Sequence, residues 1–346
     1  MSSIESDSAA TRQESDGATR ERNFAKGLRV REVLQQVSLL MVWIIVVITF
    51  GALRPDTFLT LGNFSAIFGT NATLAVLSLA LIVVLRAGDY DLSVAAIMTT
   101  CSVTLGVLNV THHVPLLWAI VVSVLFGTAL GALNAFIVVI VGVDSFIATL
   151  GMGTVLGGVA LWFSGQQQIV GVSDHLVNWV IVKQIFGIPI AFYYAIAIGL
   201  IIFYVFRYTA VGRRLLFVGK NREVSRLSGI HVKRVRFGAF VVAGFISAIA
   251  ALLYTGSSGT ADPTSGISYL LPAYAAAFLG ATCIEIGGFN PIGTLIAVYF
   301  LVTGVSGLAI LGVQNYVQNI FYGGVLIIAV AGSQAFSRSR SRVLLD

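Results

Sequence analysis

The stretch LLWAIVVSVLFGTALGALNAFIVVIV, Leu116–Val141, runs for twenty-six residues without a charge. A helix crosses the hydrocarbon core of a bilayer in about 17–25 residues. In hydrocarbon every backbone N–H and C=O must be bonded within its own segment, so a run of this kind becomes a helix and not a loop. Similar runs lie on either side, at Val37–Leu53, Phe64–Leu85, Leu92–Val110, Phe146–Phe163, Ile190–Phe206, Phe237–Tyr254, Tyr269–Ile284, Ile292–Ile310 and Tyr316–Ala331. The chain is therefore expected to be an all-α membrane protein with about ten transmembrane helices. A β-barrel would show alternating segments of roughly ten residues, and these continuous runs exclude it. Composition agrees: 57% of the residues are hydrophobic and 10% charged, against about 25% charged in soluble domains. Two segments stand apart. The run ending at Ile284 is short and carries Pro272 near its start. Leu176–Ile188 is too short to span and holds Lys183, so an interfacial helix on the outside is expected there.

Residues 1–31, rich in Ser, Glu, Asp and Arg, have the composition of a disordered cytoplasmic tail. They are too polar and too long to form a cleavable signal peptide. A transmembrane domain is expected over 32–335, and a short cytoplasmic tail over 336–346. Cytoplasmic segments carry an excess of Lys and Arg. With the N-terminus inside, ten crossings place 19 of the 21 Lys and Arg on the cytoplasmic side, leaving only Arg54 and Lys183 outside. Both termini are then cytoplasmic. The net charge of +6 is thus a matter of topology and does not indicate nucleic acid. Cys101 and Cys283 lack Cys-x-x-Cys spacing, and His112, His113, His175 and His231 have no partners at ligand spacing, so neither a disulfide nor a metal site is expected.

The largest basic segment is the loop 207–236. Its middle has the punctuation of a short helix. Asn221 is a good N-cap, and Glu223 sits in the first turn, where the helix dipole favours an acid. Val224 and Leu227 share a face, and Gly229 supplies the stop. On physics alone the segment is either a solvated, positively charged loop or a docking helix for a cytoplasmic partner. Too short to be stable by itself, such a helix could be seated in a partner's groove. The run from Gly212 to Asn221 is not a phosphate loop: six residues, not four, separate its glycines, and Asn follows the Lys.

Several motifs carry a specific resemblance. Thr209, Gly212, Arg213, Gly219, Asn221, Ser228, Gly229 and Ile230 match the pattern T-x-x-G-R…A-x-G-x-N-x-x-A-A-x-x-S-G-I, with Val224 and Ser225 at the paired alanines. Asp91, Leu92, Ser93 and Val94 match G-G-I-D-L-S-V-G, with Ala87, Asp89 and Ala95 departing from it. Phe146-Ile-Ala-Thr149-Leu-Gly151 resembles P-x-F-I-x-T-L-G, with Asp144-Ser145 near the usual proline. Phe278–Ala281 and Ile286–Thr294 resemble a Gly-rich segment in which Ala281 and Asn290 replace glycines. Taken in order, these stretches resemble the ribose-type (monosaccharide) ABC importer permeases, within the branched-chain-amino-acid/ribose permease superfamily.

The resemblance implies a multi-pass subunit of the bacterial inner membrane with no catalytic residues and no cofactor of its own. ATP–Mg would be held by a partner ATPase subunit. A periplasmic or extracellular solute-binding protein and a second permease copy, identical or closely related, would complete the assembly in the lipid bilayer. Gly219, Asn221, Glu223, Val224, Arg226, Leu227 and Gly229 would then form the ATPase-coupling loop, and alternating access would move a pentose or hexose.

Asp89, Asp91, Asp144 and Glu285 all fall at span ends, so no charge is expected near the midplane, where charges are costly and usually functional. This argues against an ion-coupled transporter. Asn71, Thr73, Ser93, Asn134 and Thr149 offer neutral polar groups for a solute path, although such residues also join helices. Asp91 either caps the third span or gates the path, and Phe146 is a further pore candidate. Gly127-x-x-x-Gly131 and Gly153-x-x-x-Gly157 are expected to pack helices within the chain. The alternatives are a permease for a nucleoside, a branched-chain amino acid or a signalling sugar, an ion-coupled secondary transporter, or an intramembrane enzyme. No nucleophile, base or metal constellation supports the last.

Overall fold

The structure, a computed structural model, describes residues 37–284, 288–314 and 316–343, the last twelve by backbone alone. The proposed tail 1–31 and Glu285 lie outside the described residues. Of the tail 336–346, helical backbone reaches Val343. Apart from four two-residue strands and the connecting turns and loops, the described chain is helical. Its elements are α1 (Val37–Leu53), α2 (Pro55–Phe58), α3 (Leu61–Gly69), α4 (Ala72–Arg86), α5 (Val94–Gly106), α6 (Leu116–Ala135), α7 (Ser145–Ser164), α8 (Asp174–Val177), α9 (Ile190–Tyr208), α10 (Ala210–Lys220), α11 (Arg222–Leu227), α12 (Val232–Ser258), α13 (Ile267–Gly280), α14 (Pro291–Ile310) and α15 (Tyr316–Val343).

Among the described residues, seven helical segments are long and apolar enough to cross a membrane: Leu61–Arg86, Val94–Thr111, Leu116–Val141, Ser145–Ser164, Ile190–Tyr208, Val232–Ser258 and Pro291–Ile310. Val37–Leu53, Ile267–Gly280 and Tyr316–Ala331 are shorter apolar helices. Each run expected from hydropathy thus has a helix, with three corrections. The second run is broken between α3 and α4, where Asn71 turns its amide back onto the Ile67 carbonyl (3.2 Å). The eighth ends at Gly280, not Ile284. Leu176–Ile188 is not one interfacial helix. α8 and a π-turn (Asn178–Val182) lead into a small hairpin, Gln184–Ile185 against Ile188–Pro189, with Lys183 Nζ 3.6 Å above the Trp179 ring.

α4 is the hub. Every residue from Ala72 to Arg86 is buried, within a ring formed by α12, α13, α9 and α14. This explains a helix that is apolar all round. α12 crosses α6 where glycines meet. A Cβ on Gly244 would lie 2.5 Å from the Gly127 carbonyl oxygen and 2.8 Å from Gly131 Cα. The Gly127/Gly131 pair therefore packs within the chain, as expected. Gly153 lies near the Leu92–Ser93 backbone, while Gly157 meets nothing. Only 22% of the apolar window of α7 and 28% of that of α9 are buried, against 83% for Leu61–Arg86. Trp118, Trp162 and Trp179 are exposed. Trp118 begins α6 and Trp162 ends α7, so both sit at one end of the helices, as in an aromatic interface belt.

Candidate functional site

At the C-terminal end of α4 the loop 207–236 folds back onto the helix bundle. The Thr209 hydroxyl caps α10 by accepting from Gly212 N (3.3 Å), and Leu215 and Val218 are buried beneath it. This helix, not foreseen from the sequence, carries Gly219 against the end of α4. There any side chain would collide with the Arg86 carbonyl, and Gly88 of the following turn packs on Gly219 with φ +77°. Asn221 then caps α11 as expected, its side-chain oxygen accepting from Glu223 N and Val224 N, both at 3.0 Å. Glu223 pairs with Arg226 on the exposed surface. Gly229, at φ +79°, ends the helix. Val224 and Leu227 are 57% and 78% exposed, so the apolar face of α11 is uncovered among the described residues.

The turn Ala87–Ser93 sits under α11. Arg86 is buried and donates to the Phe289 carbonyl (2.6 Å) while its guanidinium covers the Phe206 ring at 4.4 Å. The Asp89 carboxylate is buried and accepts from Arg222 (2.9 Å) and twice from Arg236 (2.6 and 2.7 Å).

Two residues further on, Asp91 Oδ1 accepts from Ser93 N (2.9 Å) and Ser93 Oγ (2.6 Å). Asp91 thus closes the turn into α5. Burial pushes its carboxyl up to about 6, against the lowering effect of those Ser93 hydrogen bonds. Asn134 Nδ2 donates to Ser93 Oγ (2.6 Å) from α6. From α7, Thr149 Oγ1 accepts from Leu92 N (3.0 Å) and Ser145 Oγ from Tyr90 N (3.2 Å). Asp144 caps α7 by accepting from Phe146 N and Ile147 N.

Asp91, Ser93, Asn134 and Thr149, singled out as pore or gating candidates, therefore come together in one buried polar cluster. Phe146 stands beside it, half-exposed, with its ring edge-on to Tyr90 at 6.5 Å. Asn71 and Thr73 are elsewhere, at the opposite end of α4, about 20 Å away by the rise of 1.5 Å per residue. Thr73 is buried and its hydroxyl makes no hydrogen bond. Asn71 lies on the wall of a cleft of about 460 Å³ shared with Ser268 and Tyr269 of α13 and Gln318, Asn319 and Tyr322 of α15. Among the described residues, no charged one lines it.

The Asp89 clasp and the cleft were not foreseen from the sequence. The signal for the first was an acid departing from the family motif while nine Lys and Arg crowd the loop 207–236. Spacing could not say which of the nine reach it.

A bundle of apolar helices with polar groups gathered at two ends, and a capped amphipathic helix projecting from one end, defines a multi-pass membrane permease. Residues 63–330 match the family described as branched-chain amino acid transport system / permease component. The chain belongs to that family. It is 30% identical to the D-allose transport system permease protein AlsC of Escherichia coli strain K12, over 85% of this chain and 90% of the relative. It is also 30% identical to the ribose import permease protein RbsC of Haemophilus influenzae, over 89% and 94%. The autoinducer 2 import system permease protein LsrD of Photorhabdus luminescens is 30% identical over 75% and 79%. No solved structure matches the chain.

Proposed function

We propose that this chain is the pore subunit of an ABC importer that brings a neutral monosaccharide, a pentose or a hexose, across the bacterial inner membrane. The observation that carries the proposal is α11: a capped helix with Val224 and Leu227 exposed, borne on a loop packed without slack against the buried end of α4. A separate ATPase, holding ATP–Mg, docks there. The permease relatives named for allose and ribose support a sugar as the solute. The relative named for autoinducer 2 makes a signalling sugar the second reading.

In this assembly the chain crosses the bilayer ten times with both termini in the cytoplasm. The placement of 19 of 21 Lys and Arg supports that topology. The sparsely buried faces of α7 and α9 meet lipid or a second permease copy, identical or closely related. The uncharged cleft around Asn71, Tyr269 and Asn319 then opens to the outside, beneath a solute-binding protein. Its amides and tyrosines suit a neutral polyhydroxylated solute. Asp91, Ser93, Asn134 and Thr149 close the cytoplasmic end, and ATP-driven movement of α11 opens and closes the two ends alternately.

Reconstitution in liposomes with candidate ATPase and binding-protein partners tests the proposal. ATP-dependent uptake of a labelled pentose or hexose is expected. Uptake should be lost, and the ATPase released, in the Val224→Asp/Leu227→Asp variant. Uptake that needs no ATPase, driven by an ion gradient, would refute the assignment. Uptake confined to nucleosides or amino acids would refute the solute class.

A further inference from the structure

We propose that Asp89 is a positioning residue that ties the docking helix to the buried polar cluster, so that a displacement of α11 is passed to α6 and α7. The proposal rests on the reading of α11 as the ATPase-docking helix and names the residue through which that docking acts.

Three observations carry it. First, the Asp89 carboxylate joins three elements. Arg236, one turn into α12, grips both of its oxygens at 2.6 and 2.7 Å, and Arg222, the first residue of α11, reaches one of them at 2.9 Å. Arg222 also donates to the Gly88 carbonyl at 2.7 Å, so the start of α11 is bonded to the turn by both side chain and backbone. Second, the turn continues directly into the polar cluster. Tyr90 N and Leu92 N are held by Ser145 and Thr149 of α7, and Ser93 by Asn134 of α6. No residue between Asp89 and Ser93 is without a bond to another part of this network. Third, the contact has no room to slip. Gly219 and Gly88 pack backbone on backbone, and a side chain on Gly219 would strike the Arg86 carbonyl.

The electrostatics favour transmission over stabilisation. Asp89 is only 1% exposed. A buried carboxylate that loses its partners is left with a large desolvation penalty, whereas an intact buried pair adds little to stability over an apolar replacement. The pair therefore holds a geometry more than it holds the fold. When α11 moves, Arg222 pulls on the Asp89 carboxylate and on the Gly88 carbonyl together, so the turn is drawn by both side chain and backbone. The turn and its bonds to α6 and α7 then follow. The path from Arg222 to Asn134 is short: a 2.9 Å bond to Asp89, four residues of backbone to Ser93, and a 2.6 Å bond from Asn134.

The test measures solute transported per ATP hydrolysed by the complete importer in liposomes, for the wild type, Asp89→Asn, Arg222→Ala, Arg222→Lys and the Asp89→Asn/Arg222→Ala double variant. Co-purification of the ATPase is scored alongside. The ratio is expected to fall at least tenfold in Asp89→Asn and severalfold in Arg222→Ala, with the ATPase still bound. It should recover in part in Arg222→Lys, which keeps one donor. The double variant should be no worse than Asp89→Asn, because both changes cut the same link. An unchanged ratio in assembled Asp89→Asn overturns the proposal, as does a double variant whose losses multiply. Should Asp89→Asn fail to fold, Arg222→Ala decides, since the bidentate Arg236 pair remains in it. An unchanged ratio there is equally fatal. These outcomes are distinct from failure of the importer reading, in which the wild type itself shows no ATP-dependent uptake and this proposal falls with it.

Discussion

Asn134 of α6 donates its amide to the Ser93 hydroxyl at 2.6 Å, and that hydroxyl donates in turn to Asp91 at 2.6 Å. Ser93 is the shared member of this chain of bonds, and all three side chains are buried. Ser93→Ala strands both the amide and one carboxylate bond, and is expected to cost about 2–3 kcal/mol. Asn134→Leu removes one bond and an amide whose oxygen is already unpaired, and is expected to cost about 1 kcal/mol. Thermal unfolding in lipid nanodiscs should rank the two in that order.

The glycine crossing of α6 and α12 sets a second expectation. In Gly244→Ala the new methyl meets the backbone of Gly127 and Gly131, which cannot rotate aside as a side chain would. A loss of about 1–3 kcal/mol follows. Gly157→Ala, with no atom within 4 Å of the new Cβ, should be neutral or slightly stabilising, because Ala is the better helix former by about 1 kcal/mol. Equal melting temperatures for the two variants would contradict the crossing.

Asn221 holds the first turn of α11 by accepting from two backbone N–H groups. Asn221→Ala should destabilise that helix by about 1 kcal/mol. For so short an element this is a local loosening, not global unfolding. Hydrogen exchange should rise over Arg222–Leu227 while α12 stays protected, and less ATPase should be retained on purification.

Asp91 makes stability depend on pH in a defined direction. Its carboxyl, in the turn between α4 and α5, is raised from 3.8 to about 6, chiefly by burial. Between those values the folded state holds a proton that the unfolded chain has released. The group's contribution is therefore complete below pH 3.8 and is lost as pH rises through 6. The span corresponds to a change on the order of 3 kcal/mol. Asp91→Asn has no such proton to lose. Melting temperatures measured from pH 4.5 to 7 should fall more steeply in the wild type than in the variant. Parallel curves would mean that Asp91 is not buried as described.

Orientation and the outer cleft can be probed chemically, because Cys101 and Cys283 are buried and give a quiet background. Ser268→Cys, on the exposed wall of the cleft, should react with a membrane-impermeant maleimide added outside cells. Arg226→Cys, on α11, should react only in inside-out vesicles. The reverse pattern would invert the topology.

That the chain is built of apolar helices, and about where they lie, was legible in the sequence. Leu116–Val141 appears with the bounds expected from hydropathy, because an uncharged run of that length leaves its backbone no other way to bond in a bilayer. The caps at Asn221 and Gly229 were legible for a related reason: a cap bonds only to its own next turn. The break at Asn71 was not expected, although Gly69-Thr70-Asn71 is a local turn signal, because the runs on both sides are apolar and read as one span. Tertiary structure alone decided that α4 is enclosed by four other helices, that Arg86 is buried at the end of the bundle, and that Asp89 pairs with Arg222 and Arg236 out of nine basic candidates. It also gathered residues from α4, α13 and α15 into the cleft. Asp89 and Arg236 are 147 residues apart. Hydropathy and capping act within one or two turns of helix, whereas which charges meet depends on how whole helices cross. That crossing is set by glycines such as Gly131 and Gly244, whose partners no local pattern names.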